Sequence, residues 1–157
     1  MNTQTDYLVI LEPARRNWSA YCPDVPGCIS TGPTQEQTRL NFADALQGHL
    51  DWMREDGDPI PSPRAETETV TVALPDQPPR GYLAILQPSP IGTWSVSAAD
   101  VPDLSLEYST REEALRLFQT TLQSHLEALE AAEQPSPEPV SEVAAVTVDL
   151  TRQPVAA

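Results

Sequence analysis

Lysine is absent from this chain of 157 residues, and its nine cations are all arginine. Against them stand 23 acids, for a formal net charge of −14. A surface this negative repels phosphate backbones, so it argues against nucleic acid as a ligand and in favour of a basic partner or plain solvation. The charge divides evenly: residues 1–78 hold 5 Arg and 12 acids, and residues 79–157 hold 4 Arg and 11 acids, which is −7 in each part. Only two cysteines and two histidines are present. Two thiols without a histidine cluster make a poor zinc site, so neither metal nor cofactor is expected. Cys22 and Cys28 read as small buried hydrophobes, because a cytosolic setting disfavours a disulfide. No apolar run approaches the length of a membrane span, and the opening MNTQTD lacks the basic and apolar regions of a signal peptide. The expectation is a cytoplasmic protein with no membrane segment. Also missing are a Gly-rich phosphate loop, a Ser/His/Asp order, a paired metal-ligand motif and an aromatic-basic patch, so no catalytic residue is assigned and the chain reads as a non-enzyme.

What the chain does contain is organised around Trp18 to Gly32, WSAYCPDVPGCISTG. Its first half alternates as a strand, with Trp18, Ala20 and Cys22 on one face and Ser19 and Tyr21 on the other. Asp24-Val25-Pro26-Gly27 then reverses the chain, since Pro26 fixes its backbone angle and Gly27 permits a positive one. Tyr7 to Glu12 is a preceding strand, apolar on both faces, joined by the turn Pro13–Asn17. Thr34-Gln35-Glu36-Gln37 is a capping box that opens a helix. Phe42, Ala45, Leu46, His49, Leu50 and Met53 form one apolar stripe of that helix, which ends near Asp56-Gly57-Asp58. Prolines 59, 61 and 63 keep the next segment extended until Thr67–Leu74 supplies a fourth strand.

This β-β-β-α-β pattern then recurs. Tyr82 to Leu86 repeats the first strand at an offset of 75, and from Trp94 onward the offset is 76. Trp18, Asp24-Val25-Pro26, Thr34, Phe42, Leu46-Gln47 and His49-Leu50 return as Trp94, Asp100-Val101-Pro102, Thr110, Phe118, Leu122-Gln123 and His125-Leu126. Val70-Thr71-Val72 returns as Val146-Thr147-Val148. The fold class expected is α+β, a tandem duplication in which each copy is an antiparallel-rich sheet covered by one helix. The boundaries are 1–74 for copy 1, 75–81 for a Pro-rich linker, 82–150 for a degenerate copy 2 and 151–157 for a tail. At about 70 residues each copy is near the lower limit for a self-sufficient core, so the copies are expected to support one another as a pseudo-dimer within one chain, with further homo-oligomerisation left open. The last strands, Thr67–Leu74 and Ala144–Leu150, are expected to help pair the lobes, because each ends its copy with backbone groups to satisfy.

The copies differ at Gly27, which becomes Asp103, and at Gly32, which becomes Tyr108. Pro26, Gly27 and Asp103 are read as structural turn residues, Asp103 requiring either an uncommon backbone conformation that Asp tolerates or a different turn. Copy 1 is read as the one that keeps a partner surface, with Tyr21, Asp24 and Glu36 as its candidate residues. Each has a structural alternative. Asp24, persisting as Asp100, suits hydrogen bonding to nearby turn amides, and Glu36, persisting as Glu112, suits the positive end of a helix. Trp18 and Trp94 read as core anchors, His49 and His125 as core-boundary residues.

The opening Tyr and apolar strand, PDVPGC, the S-x-G-x-T-x-E element at Ser30, Gly32, Thr34 and Glu36, the helix segment ALQGHL and then DGDPIPSP together resemble the HicB family. The resemblance is strong over residues 7–74 and weak over 82–150. It implies a partial RNase H-like fold without nuclease chemistry, and the role of an antitoxin that masks a small basic RNA-cleaving HicA-like toxin. Family antitoxins usually carry a DNA-binding segment where this chain has its second copy, so no specific DNA binding is expected. The competing reading is a stand-alone interaction or small-ligand-binding module with no toxin partner.

Overall fold

The computed structural model describes residues 4–151. The described residues form ten elements: β1 (Gln4–Pro13), β2 (Trp18–Cys22), β3 (Val25–Gly32), α1 (Gln35–Glu55), β4 (Glu66–Val72), β5 (Arg80–Pro88), β6 (Trp94–Ala98), β7 (Val101–Tyr108), α2 (Arg111–Ala131) and β8 (Glu142–Asp149). The fold is α+β, with two antiparallel four-stranded sheets ordered β3-β2-β1-β8 and β4-β5-β6-β7. Each sheet is covered by one helix.

The compact units are not the sequence copies. Unit 1 comprises residues 1–64 with 142–157, and unit 2 comprises 65–141. The fourth strand of each copy lies in the sheet built by the other copy. β8 pairs with β1, Tyr7 opposite Val146 and Leu11 opposite Glu142. β4 pairs with β5, Val70 opposite Tyr82 and Val72 opposite Arg80. The Pro-rich segment expected to be a linker between copies is therefore a loop inside unit 2, joining two neighbouring strands, and its last residues, Arg80 and Gly81, already belong to β5. A short connection between consecutive strands favours antiparallel pairing of those strands. The exchange lets β1 and β5, both apolar on two faces, become central strands with their backbone groups paired on both sides. Of the tail, only Thr151 falls within the described residues.

In unit 1, Tyr7, Val9 and Leu11 of β1, Ala20 and Cys22 of β2, and Val146 and Val148 of β8 form a buried layer against Phe42, Leu46 and Leu50 of α1. Full burial of a side chain such as Leu46 contributes about 1.5–3 kcal/mol. Unit 2 repeats the layer with Tyr82, Ala84 and Leu86, Val96 and Ala98, Val70 and Val72, and Phe118, Leu122 and Leu126. Trp18 and Trp94 lie half-buried against these cores. His49 is half-buried and His125 exposed. Thr34 caps α1, its hydroxyl accepting from the Gln37 amide at 3.0 Å. The expected reciprocal half of the capping box is replaced, because the Gln37 side chain donates instead to Asn41 Oδ1 at 2.8 Å.

In each unit, three hydrogen bonds hold the donated strand and the extended proline segment. Gln47 of α1 donates to the carbonyl of Asp149 at 2.8 Å and accepts from its amide at 2.9 Å. Gln123 of α2 does the same to Ala73, at 2.7 and 3.3 Å. The hydroxyls of the buried Tyr7 and Tyr82 donate to the carbonyls of Pro61 and Pro137, at 2.5 and 2.7 Å. The glutamine and proline pairs are related by the offset of 76 and the tyrosines by 75, and Pro61 and Pro137 are each the middle proline of an alternating triplet, 59/61/63 and 135/137/139.

Candidate functional site

The turn after β2 is tighter than the sequence suggests. Cys22 is opposite Val25, so the reversal occurs at Pro23-Asp24, and the register then shifts to Tyr21 opposite Ile29. Pro26 and Gly27 lie inside β3, within the resulting bulge, where Gly27 has φ +91°. Accommodating three extra residues, 26–28, on β3 requires a positive φ at one of them, which glycine adopts without steric cost. The equivalent residue in unit 2, Asp103, has φ +70°. Of the two possibilities for Asp103, the left-handed conformation is the one adopted.

Asp100 does not bond the amides of its own turn. Its carboxylate accepts from the backbone amides of Val140 and Ser141, at 3.0 and 2.9 Å, and from the Ser141 hydroxyl at 2.6 Å. It therefore fixes the stretch that leads into β8, 40 residues downstream of the turn. Asp24, half-buried at the matching position of unit 1, has the same chemistry available to it.

Tyr21 lies on the face of sheet 1 away from α1. In register it sits between Ile10 of β1 and Ile29 of β3, and Ile10 is opposite Val143 of β8. The row Ile29–Tyr21–Ile10–Val143 crosses all four strands, and its outer members are 69% and 43% exposed. The matching row of unit 2 reads Ser105–Ser97–Ile85–Thr67. Glu36 lies on the other side of the sheet, in the first turn of α1, where it forms a 2.8 Å ion pair with Arg39. Tyr21 and Glu36 are thus placed on opposite sides of one sheet, and the three candidate residues do not form a single patch.

Sequence reading missed the outward ridge of α1. Thr38, Phe42, Leu46 and Leu50 are the buried row at four-residue spacing. Two positions away, on the opposite side of the helix, run Glu36, Leu40, Asp44, Gly48 and Trp52, all exposed. Trp52 is 59% and Leu40 45% exposed. The matching ridge of α2 is Glu112, Arg116, Thr120, Ser124 and Ala128. The signal was available in the sequence: a large apolar residue off the core stripe in one copy, replaced by a polar or small one in the other.

Gly32 has a packing role that explains its part in the sequence element. A Cβ there would lie 2.7 Å from Thr38 Oγ1 and 2.9 Å from the Thr38 amide nitrogen. The first turns of α1 therefore approach β3 closely. In unit 2 the pair is Tyr108 with Ala114, a large residue on the strand facing a small one on the helix.

Both cysteines are free and buried. Burial pushes the Cys22 thiol up to about 11, opposed in part by backbone amides at Asp24 and Val25, and it raises Cys28 as well. Such thiols are protonated at neutral pH and poor nucleophiles. Among the described residues, no group of three or more His, Cys, Asp or Glu is placed to hold a metal, and no helix is long and apolar enough to cross a membrane.

Comparison with known proteins bears on the first copy. Residues 7–77 match the family model described as HicB_like antitoxin of bacterial toxin-antitoxin system. A protein of Haemophilus phage HP1 (strain HP1c1), described as an uncharacterized 14.9 kDa protein in the rep-hol intergenic region, is 34% identical over 55 residues. That alignment covers 35% of this chain and 41% of the phage protein, so the chain spans about two fifths of that relative's length. A solved chain from a HicA3 and HicB3 toxin-antitoxin complex is 27% identical, with a TM-score of 0.35 over 38% of this chain and 69% of that one. The stretch similar to the HicB-like antitoxin family is thus residues 7–77, which supply three strands and the helix of unit 1 and the first strand of unit 2.

Proposed function

We propose that this chain is a non-catalytic antitoxin that binds and masks a small, basic, RNA-cleaving HicA-like toxin. The observation that carries the reading is the family match over residues 7–77. The net charge of −14 supports it, because a negative surface speeds encounter with a basic protein and makes the association sensitive to salt. The two copies act as a tandem duplication, a covalent pseudo-dimer, and the partner surface is carried by unit 1. Tyr21, Asp24 and Glu36 remain its candidate residues in unequal measure. Asp24 shares a repeat position with Asp100, whose carboxylate fixes backbone, and so it serves structure first. Tyr21 and Glu36 belong to different faces, and one toxin covers one of them.

The test is titration of the full chain with a nuclease-silenced HicA-like toxin encoded beside its gene, at low and at moderate salt. Binding that weakens as salt rises, with recovery of RNA from cleavage by the active toxin, is the expected result. Failure to bind at micromolar concentration in low salt refutes the reading and leaves a stand-alone module. In the same experiment a promoter fragment from its own operon should show no sequence-selective shift, since 14 excess negative charges oppose phosphate contact.

A further inference from the structure

We infer that the toxin docks by laying a basic, amphipathic helix along the outward ridge of α1, with Trp52 and Leu40 as apolar anchors and Gly48 as the point of closest approach. The inference rests on the antitoxin reading and specifies its contact surface.

Four observations converge on this ridge. Glycine in a helix interior is disfavoured relative to alanine, so its presence there calls for a reason. Nothing within the chain supplies one, because a Cβ at Gly48 would meet no atom within 4 Å. The missing side chain therefore leaves a notch about 6 Å along the helix from Trp52 and about 12 Å from Leu40, at the helical rise per residue. Close helix approach needs a small residue between larger ones, and this spacing supplies it. Trp52, more than half exposed, belongs to the residue types that most often dominate binding energy when a partner covers them.

The second copy serves as an internal control. It keeps the buried row of the helix, as Ala114, Phe118, Leu122 and Leu126. On the outward ridge it puts Arg116, Ser124 and Ala128 where α1 has Leu40, Gly48 and Trp52. Folding alone accounts for the α2 ridge and leaves the α1 ridge unaccounted for. Charge selects the occupant. Glu36 and Asp44 lie on the ridge, and Glu55 and Asp56 follow Trp52 at its end, all exposed. An apolar strip flanked by carboxylates fits a helix that carries arginine or lysine beside its apolar residues, not an acidic one and not a second copy of this −14 chain.

The decisive variant is Gly48→Gln. It has open space and restores helix propensity, so the free protein should melt a few degrees higher, while the added side chain fills the notch and should weaken toxin binding about tenfold or more. Trp52→Ala should weaken binding about thirtyfold, the usual size for an aromatic anchor. The full chain and these variants are titrated with the nuclease-silenced toxin, alongside Tyr21→Ala and Ala128→Trp. Loss of affinity in Gly48→Gln and Trp52→Ala, with the other two unchanged, supports the inference. Toxin binding that survives both ridge variants and falls in Tyr21→Ala overturns it and leaves the antitoxin function standing. No binding by the unmodified chain removes the function itself. A Trp52→Ala chain that changes self-association in gel filtration, with toxin affinity unchanged, shows a second copy on the ridge and also overturns it.

Discussion

Replacing Gln47 by alanine removes the two hydrogen bonds, 2.8 and 2.9 Å long, that tie α1 to the end of β8 at Asp149. Each such bond contributes about 0.5–1.5 kcal/mol net, and the half-buried amide and carbonyl of Asp149 lose a protein partner together. Alanine returns a few tenths of a kcal/mol in helix propensity. The expected loss is about 1–2.5 kcal/mol, and it should be localised. Hydrogen exchange read residue by residue should show faster exchange at β8 and at the β1 amides facing it, with α2 and β5 to β7 unchanged. Gln47→Glu should do no better than alanine. A carboxylate can still accept from the Asp149 amide but has no proton to give its carbonyl, and it places a third acid beside Asp51 and Asp149. Gln123→Ala is the reciprocal control. Its bonds to Ala73 are more exposed and one is 3.3 Å, so the loss should be smaller and should appear at β4. Equal loss of protection in both sheets from either variant, or none at β8 from Gln47→Ala, would refute the idea that the helix glutamines clamp the exchanged strands.

Two further predictions concern the packing of unit 1. Gly32→Ala should destabilise by about 1–3 kcal/mol in urea unfolding, because its methyl would meet the backbone of Thr38 at 2.9 Å, while the double change Gly32→Ala with Thr38→Ala should recover only the part due to the hydroxyl. Cys22, with its ordinary value near 9.0 raised to about 11 by burial, keeps its proton in the folded chain at a pH where the unfolded chain loses it. Its contribution to stability is therefore complete below about pH 9 and is lost as pH rises toward 11. Melting followed from pH 8 to 11 should show a decline that Cys22→Ala makes shallower, and a native chain alkylated at Cys22 as fast as the unfolded chain at pH 8 would contradict the burial.

The helices, their caps and their buried stripes were legible because each depends on residues within a few turns of one another. Phe42, Leu46 and Leu50 could face only one way, and Thr34 offered an acceptor at the right distance. The destination of the fourth strands was not legible. Val70-Thr71-Val72 and Val146-Thr147-Val148 carry the same alternation, so either could complete either sheet by its side chains alone. The choice depends on the path of the extended proline segments and on the short loop that makes β4 and β5 neighbours, a loop that composition alone presents as a spacer between copies. The same limit applies to the candidate site. Alternation placed Tyr21 opposite Trp18 and Cys22, as the strand has it, but nothing local revealed that Glu36 would be on the far side of the sheet or that Asp100 would reach a segment 40 residues away. The α1 ridge was readable in principle, since Leu40 and Trp52 lie off the core stripe, but its meaning came only with the packing that left Gly48 in open space.

The exchange of strands also sets an order of completion on the ribosome. Unit 2 is continuous in sequence, whereas unit 1 begins with β1 and lacks its fourth strand until residues 142–149 have been made. At ordinary elongation speeds that interval is on the order of ten seconds. Throughout it, one edge of β1 presents unpaired amides and carbonyls beside the buried positions of Tyr7 and Val9. The nested unit can close first, and the enclosing unit, to which we assign the proposed partner surface, is finished only by the last strand.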